Sequence, residues 1–264
     1  MTQFANKVVW VTGASSGIGE ALAYELNKYG SRIIISSRNA TALEEVKSKC
    51  QFPENVRVLP LDLSEHSKMP KIVESAIQLF SRIDILVNNA GISQRSYIID
   101  TKFEVFKKLV DINYLGTVAL SNAILPHFLA NKSGHYVVVT SLMGKFGSPL
   151  RSGYCGAKHA LHGFFDVMRM EHQKHGIDVT LICPGFVRTN VAINAFIGDG
   201  SLKKVNDPGT ANGLPPEDFA RKMLKAIAKK KYEAYIGRKE IKGVYLKRFF
   251  PKLLHKVVLR SQVV

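Results

Sequence analysis

The chain has 264 residues, 46% of them hydrophobic, enough for the buried core of one large α/β domain. Its three cysteines, Cys50, Cys155 and Cys183, are far apart and form no C-x-x-C pair, which argues against a disulfide framework or a zinc site; no run of consecutive apolar residues is long enough to span a bilayer. The formal charge of +16 is uneven: residues 221–264 hold 14 Lys and Arg against two acids, net +12, and the preceding 220 residues hold 23 against 19, net +4.

Taken in chain order, Val8 to Val11 reads as a first strand, followed by a helical pattern ending at Gly30, a strand at Ile33 to Ile35, and a second helix ending near Cys50. The alternation continues with a strand from Val56 to Leu61, a helix from Glu65 to Phe80 and a strand from Ile83 to Val87. A long helical segment from Thr101 to Ala130, a strand from Tyr136 to Thr140, a helix from Tyr154 to about Lys174 and a strand from Val179 to Cys183 follow. Strands that are apolar throughout, each followed by a helix, predict a single-domain, Rossmann-like α/β fold: a doubly wound parallel sheet flanked by helices. Because this pattern begins within ten residues of Met1, no secretory leader is expected and the cytoplasm is the expected compartment.

Residues 190–216, with four Gly and three Pro, read as a long loop and candidate substrate lid. From Val244 to Arg260, paired apolar residues recur at helical spacing opposite Lys247, Arg248, Lys252, His255, Lys256 and Arg260. This is a basic amphipathic helix, kinked or begun at Pro251, suited either to an anionic membrane surface or to packing on the body or a second subunit. The expected division is therefore a catalytic domain over 1–240 and a helical extension over 241–264. Nucleic-acid binding is disfavoured because no reading motif is present.

Thr12-Gly13-Ala14-Ser15-Ser16-Gly17-Ile18-Gly19 lies between the first strand and first helix, where glycines let backbone approach a pyrophosphate and the helix N-terminus attracts its charge. The second strand ends in Ser36-Ser37-Arg38. No carboxylate stands there to repel a 2′-phosphate, and the Arg38 guanidinium suits phosphate oxygens, so NADP(H) is the expected cofactor, with Ser15 and Ser16 assisting. Tyr154 and Lys158 are four apart on a predicted helix and share a face, so the lysine charge can favour a phenolate that would otherwise form only near pH ~10. Ser141, leaving the end of a strand, can polarise a substrate oxygen. Glu171, His172 and His175 share a helix but have no third ligand at suitable spacing, so no metal is expected.

The spacing of the glycine loop, then Asp62-Leu63, Asn88-Asn89-Ala90-Gly91, Asn113, Ser141, Tyr154-x-x-x-Lys158 and Pro184-Gly185 in that order, resembles the classical short-chain dehydrogenase/reductase family over about residues 7–190. The segment from Thr140 to Lys145, with His162-Gly163-Phe164-Phe165, is most similar to the branch containing 11β-hydroxysteroid dehydrogenase type 1 and the member-7 dehydrogenase/reductases. The resemblance implies an oxidoreductase interconverting a carbonyl and a secondary alcohol, with Tyr154 transferring the proton, Lys158 holding the nicotinamide ribose, Ser141 polarising the substrate and Asn113 holding a water of the proton relay. It further implies that Gly13, Gly17, Ile18 and Gly19 cradle the pyrophosphate, that Asp62 and Leu63 meet the adenine, and that Asn89, Ala90 and Gly91 line its ribose. Val187, through its main chain, and Thr189 would bind the nicotinamide carboxamide. Met143 and Phe186, with Ser141 and Tyr154, would line a mostly apolar substrate site, favouring a lipophilic small molecule. Relatives commonly pair through the helices after Ser141 and Pro184, which implies a dimer or tetramer. An extended-branch epimerase or dehydratase would carry a Gly-x-x-Gly-x-x-Gly loop and a longer C-terminal domain, and a redox-sensing binding protein would commonly have lost the tyrosine, serine or lysine.

Overall fold

Apolar runs that do not alternate with polar residues can be buried on both faces, and this chain uses them as the strands of one parallel sheet. The structure is a computed structural model that describes residues 2–261. Its first half runs β1 (Val8–Thr12), α1 (Gly17–Lys28), β2 (Arg32–Ser36), α2 (Ala40–Ser48), β3 (Val56–Val58), α3 (Met69–Phe80), β4 (Ile85–Asn88), α4 (Phe103–Val110) and α5 (Gly116–Ala130). The second half runs β5 (Gly134–Val139), α6 (Ser152–His172), β6 (Ile177–Pro184), α7 (Pro208–Ala211), α8 (Pro216–Ala228), β7 (Glu233–Ile236), α9 (Lys242–Phe249) and α10 (Pro251–Arg260).

The strand order is β3-β2-β1-β4-β5-β6-β7, every pair parallel. Side-chain alternation sends Val9 and Val11 to one face with Leu22 and Leu26 of α1 and Phe219 and Met223 of α8. It sends Val8 and Trp10 to the other, with Val73 of α3, Ile124 of α5 and Phe165 of α6. The order reverses between β1 and β4, so the turns leaving their carboxyl ends diverge and open a crevice there, the place where doubly wound sheets bind ligands.

Four features depart from the sequence-based expectation. The helix expected from Thr101 to Ala130 starts at Phe103 and is broken by one π-helical turn, Asp111–Leu115, in which the Gly116 amide donates to the Asp111 carbonyl five residues back. The third strand stops at Val58. Neither α8 nor β7 is anticipated: α8 packs on α1, and β7 extends the sheet beside β6. The 190–216 segment is not a free loop. It pairs with the segment after β4 through Arg95 N–H to Phe196 O (2.8 Å) and Phe196 N–H to Ser93 O (2.9 Å), and it contains α7.

The C-terminal helix does divide at Pro251. Gly243 of α9 lies on the Phe146 ring, where a Cβ would sit 2.7 Å from the nearest carbon, and Leu254 of α10 is buried in a small cluster with Leu142, Phe146 and Cys183. Phe249, Phe250, Leu253, Val257 and Leu259 remain 45–69% exposed. No helix among the described residues is long and apolar enough to cross a membrane.

Candidate active site

The turn after β1 is held against the turn after β4 by a few short contacts. The Thr12 hydroxyl donates to Val87 O (3.2 Å) and accepts from the amides of Asn89 (3.0 Å) and Ala90 (3.1 Å), while Asn89 Nδ2 donates to Thr12 O (2.9 Å) and Gly13 O (3.2 Å). These bonds leave no room for side chains. A Cβ on Gly19 would lie 2.3 Å from Gly13 O, and one on Gly13, whose φ is +65°, would lie 2.7 Å from Ala90 Cα. Gly17, with φ +61°, faces Thr189, whose Cγ2 would be 3.0 Å from an added Cβ. Ile18 packs against the core, Ser15 is half-buried, and Ser16 precedes α1 in extended conformation with its hydroxyl making no capping bond. The result is a tightly packed glycine turn at a helix N-terminus, whose chemistry fits a dinucleotide pyrophosphate.

Around this cradle, Arg38 is exposed at the end of β2. Asp62 Oδ1 accepts from the Ser64 amide (2.9 Å) and hydroxyl (2.8 Å). Burial works to raise the Asp62 carboxyl, but those bonds and the charges of Arg38 and Lys108 hold it below the usual range. Leu63 is buried in the core, with its carbonyl against Gly116. On the opposite wall the Phe186 carbonyl accepts from Leu214 N–H and the Arg188 N–H donates to Leu214 O, both 2.9 Å. Strand alternation therefore turns the amide and carbonyl of Val187 the other way. Thr189 Oγ1 is engaged only distantly, by the Val191 amide at 3.4 Å.

Helix α6 carries Tyr154 and Lys158 past the carboxyl end of β5. The Lys158 ammonium is buried, donates to Val139 O at 2.9 Å, and lies 5.8 Å from the centre of the Tyr154 ring. Burial pulls its pKa down to about 8, opposed by Cys183. Ser141 leaves β5 extended and its hydroxyl accepts from the Met143 amide (3.0 Å). Burial pushes the Tyr154 phenol above its ordinary value, while the Ser141 hydroxyl and the charges of Arg95 and Arg151 oppose the rise. Asn113, fully buried in the π-helical turn, clamps the backbone of Ile92 by accepting its N–H (2.8 Å) and donating to its carbonyl (2.9 Å). A Cβ on Gly91 would lie 2.9 Å from Asn113 Oδ1 and 3.5 Å from Lys158 Nζ, so Gly91, Asn113 and Lys158 meet in one small volume. Met143 and Phe186 are half-buried at the rim, and the Phe186 ring rests against Gly209 of α7.

A second polar layer lies beyond these residues; the resemblance implies Gln94 to Tyr97 and the 190–216 segment near the substrate, but their contacts are not read from the sequence. Gln94 is fully buried: its Oε1 accepts from the Gly153 amide (2.8 Å) and its Nε2 donates to Ser96 Oγ (3.1 Å). Arg95, Arg151 and Asp207 are also buried and ion-paired. Behind Lys158, the Cys183 thiol, His162 and Glu233 gather with their ligand-type atoms within 4.8 Å of one another. Lys145 Nζ lies 2.6 Å from the Glu233 carboxylate and the Tyr235 hydroxyl donates to it at 2.9 Å. The only sequence signal for either group is polar residues flanking the site motifs. The His172 and His175 rings, 5.7 Å apart, lie at the far end of α6.

A glycine turn at the switch point of a parallel sheet, beside a buried lysine and a tyrosine on one helix face, is the arrangement of Rossmann-type enzymes. The short chain dehydrogenase family model matches residues 7–198. Human dehydrogenase/reductase SDR family member 7 is 41% identical over 256 residues, 94% of this chain and 76% of that protein. Member 7B of Bos taurus is 37% identical over 261 residues, 96% of this chain and 80% of that one. The chain belongs to the short-chain dehydrogenase/reductase family of oxidoreductases, in the branch of these member-7 proteins. The fold agrees. A short chain dehydrogenase/reductase from Burkholderia phymatum in complex with NAD superposes with a TM-score of 0.84 at 21% identity, covering 96% of both chains. An alcohol dehydrogenase from Thermococcus sibiricus complexed with 5-hydroxy-NADP gives 0.74 at 24% identity, covering 88% of this chain and 97% of that one.

Proposed function

We propose that this protein is an NADP(H)-dependent oxidoreductase that interconverts a carbonyl and a secondary alcohol on a lipophilic small molecule. The observation that carries the reading is the convergence of Tyr154, Ser141, Lys158 and Asn113 beside the glycine cradle. A bound nicotinamide supplies or accepts the hydride. The protein's part is binding and proton transfer. Tyr154 gives its hydroxyl proton to the substrate oxygen in reduction and takes it back in oxidation. Ser141, at the carboxyl end of β5, donates to the same oxygen and stabilises charge developing there. The Lys158 cation favours the phenolate and holds the ribose, and Asn113, which clamps the turn after β4, holds a water of the proton relay.

In this reading Gly13, Ser15, Ser16, Gly17, Ile18 and Gly19 hold the pyrophosphate and Arg38 the 2′-phosphate. Asp62, Leu63, Asn89, Ala90 and Gly91 surround the adenosine, and Val187 and Thr189 meet the nicotinamide. Residues 1–240 form the catalytic unit, with 190–216 covering the substrate. An apolar substrate is supported by Met143 and Phe186 at the rim and by a neighbouring cavity of about 400 Å³ lined by Tyr97, Ile98, Ile99, Pro149 and Leu150.

The test follows NADPH and NADH oxidation over a panel of apolar ketones and aldehydes. Wild type is expected to turn over with NADPH in preference to NADH, Tyr154→Phe to lose activity by about 10³-fold with dinucleotide affinity kept, and Arg38→Asp to lose the preference. Full activity in Tyr154→Phe overturns the mechanism, and equal use of both dinucleotides overturns the role of Arg38.

The half-exposed apolar stripe of α9 and α10 beside the +12 charge of residues 221–264 supports a second reading, reversible attachment of residues 241–264 to an anionic membrane. Exposed Val167 and Met170 on α6 support pairing of two copies through that helix. Vesicles containing anionic lipid should co-sediment the full chain at low salt and release it at high salt. Salt-insensitive or absent sedimentation overturns the attachment.

A further inference from the structure

Polar groups withdrawn from water keep a partner, so a buried nitrogen without one points to a ligand. His162 is 7% exposed, and its Nδ1 has no hydrogen-bond partner among the described residues, although Glu233 Oε1 is 3.4 Å away. The Cys183 sulfur, fully buried, lies 3.9 Å from Nε2 of the same ring and 3.4 Å from Glu233 Oε1. One ring nitrogen, the sulfur and one carboxylate oxygen are all within 4.8 Å of one another. They come from α6, β6 and β7, with His162 and Glu233 standing 21 and 50 residues from Cys183, so no spacing in the sequence announces the set. The ring is held in place from behind, because a Cβ on Gly144 would lie 2.9 Å from His162 Cδ2 and Nε2. Three further groups touch the cluster. The Thr140 hydroxyl donates to Cys183 Sγ (3.2 Å), the Tyr235 hydroxyl donates to Glu233 Oε2 (2.9 Å), and the Lys145 ammonium lies 2.6 Å from Oε1.

We propose that His162, Cys183 and Glu233 form a binding site for one divalent cation of the zinc type, separate from the oxidoreductase centre. A thiolate sulfur, an imidazole nitrogen and a carboxylate oxygen are donors that zinc takes, and in a tetrahedral shell they stand roughly 3.3–3.7 Å apart. Two of the separations here are already 3.4 Å, and the imidazole must turn to close the third. On binding, the Cys183 S–H bond breaks, a sulfur–metal bond forms and the proton leaves to water. The thiolate and the carboxylate then balance the two positive charges, as a buried ion requires. The Lys145 ammonium, whose side chain is 24% exposed, swings into solvent and gives up Glu233 Oε1. Glu233 is itself 26% exposed, so the cation enters along this carboxylate. The bound ion ties α6 to β6 and β7 one helical turn beyond Lys158 and leaves one coordination position open.

The experiment takes the full chain, stripped of metal with a chelator, and follows Zn²⁺ by equilibrium dialysis, Co²⁺ by absorption and the melting midpoint with and without Zn²⁺. One Zn²⁺ per chain, a sulfur-to-cobalt charge-transfer band and a raised midpoint are expected. Cys183→Ser should abolish the band and weaken zinc binding more than about 100-fold, and His162→Gln should weaken it by a similar factor, since losing a ligand costs more than losing an outer partner. Lys145→Met removes the competing cation and should tighten binding about tenfold. His172→Gln, at the paired histidines on the far end of α6, should leave binding unchanged. Absence of the cobalt band, zinc held as tightly by Cys183→Ser as by wild type, or binding lost in His172→Gln overturns the site. If Cys183→Ser or His162→Gln does not fold, the wild-type band and Lys145→Met decide, and unchanged or weaker binding in Lys145→Met overturns it.

Discussion

The two sides of the crevice are built on different principles. On the dinucleotide side, backbone meets backbone: an added Cβ at Gly13 or Gly19 would come within 2.7 Å of main-chain atoms, and Thr12 and Asn89 pin the approach with five hydrogen bonds. On the substrate side the wall is side chain and loop, with Tyr97, Ile98 and Ile99 left 61–91% exposed beside the cavity they line. The first arrangement admits one ligand shape and tolerates almost no change. The second leaves apolar area uncovered and tolerates change freely, so that, in the function proposed above, one dinucleotide site can serve varied substrates.

The largest effect that would break this contrast is at Gly19. Gly19→Ala forces a methyl to within 2.3 Å of Gly13 O and 2.6 Å of Asn89 Nδ2, and a loss of about 3 kcal/mol in stability, with dinucleotide binding weakened, is expected. Gly147→Ala, on the substrate side, meets nothing within 4 Å and should change stability by less than about 0.5 kcal/mol. Thermal melts with and without dinucleotide measure both, and similar losses in the two variants would remove the distinction.

A second effect of similar size comes from the polar group under the substrate side. Burial, with the charge of Lys145, pulls the His162 imidazole down to about 4, against Glu233 and Asp166, and His135 is held equally low mainly by burial. Both rings are thus neutral in the folded protein. The unfolded chain takes up their protons below pH ~6.5, so this contribution to stability is complete above that pH and is lost as pH falls toward 4, by up to about 3 kcal/mol per ring. His162→Gln should therefore flatten the decline of the urea midpoint between pH 6.5 and 4 by about half. A decline as steep as in wild type would mean that His162 is not held neutral.

The smallest effect sharpens the contrast from the other side. Ile99 is 91% exposed, so Ile99→Ser should leave the melting temperature unchanged while raising KM for an apolar substrate several-fold, about 1 kcal/mol of lost contact. An unchanged KM across substrates of increasing apolar area would show that the cavity beside Ile98 and Ile99 is not the substrate's entrance.

What the sequence determines by itself is whatever local chemistry encodes. The glycine spacing of 13, 17 and 19 is read from the turn it must make, and Tyr154 with Lys158 from one helical turn. The order of strands and helices follows from apolar runs, and the break at Pro251 from a ring that cannot continue a helix. Tertiary structure alone decides what depends on partners far along the chain. The short strand Glu233–Ile236 carries too little pattern to be seen without β6 beside it, and the π-helical turn at Asn113 interrupts a sequence that reads as unbroken helix. The placing of the Leu63 side chain in the core, with its carbonyl against Gly116, and the Asn89 bonds that tie β1 to β4 are likewise set by packing. Nothing in the sequence pairs Arg95, Arg151 and Asp207; only the fold brings them together out of water, where the cost of burying one charge is offset by the others.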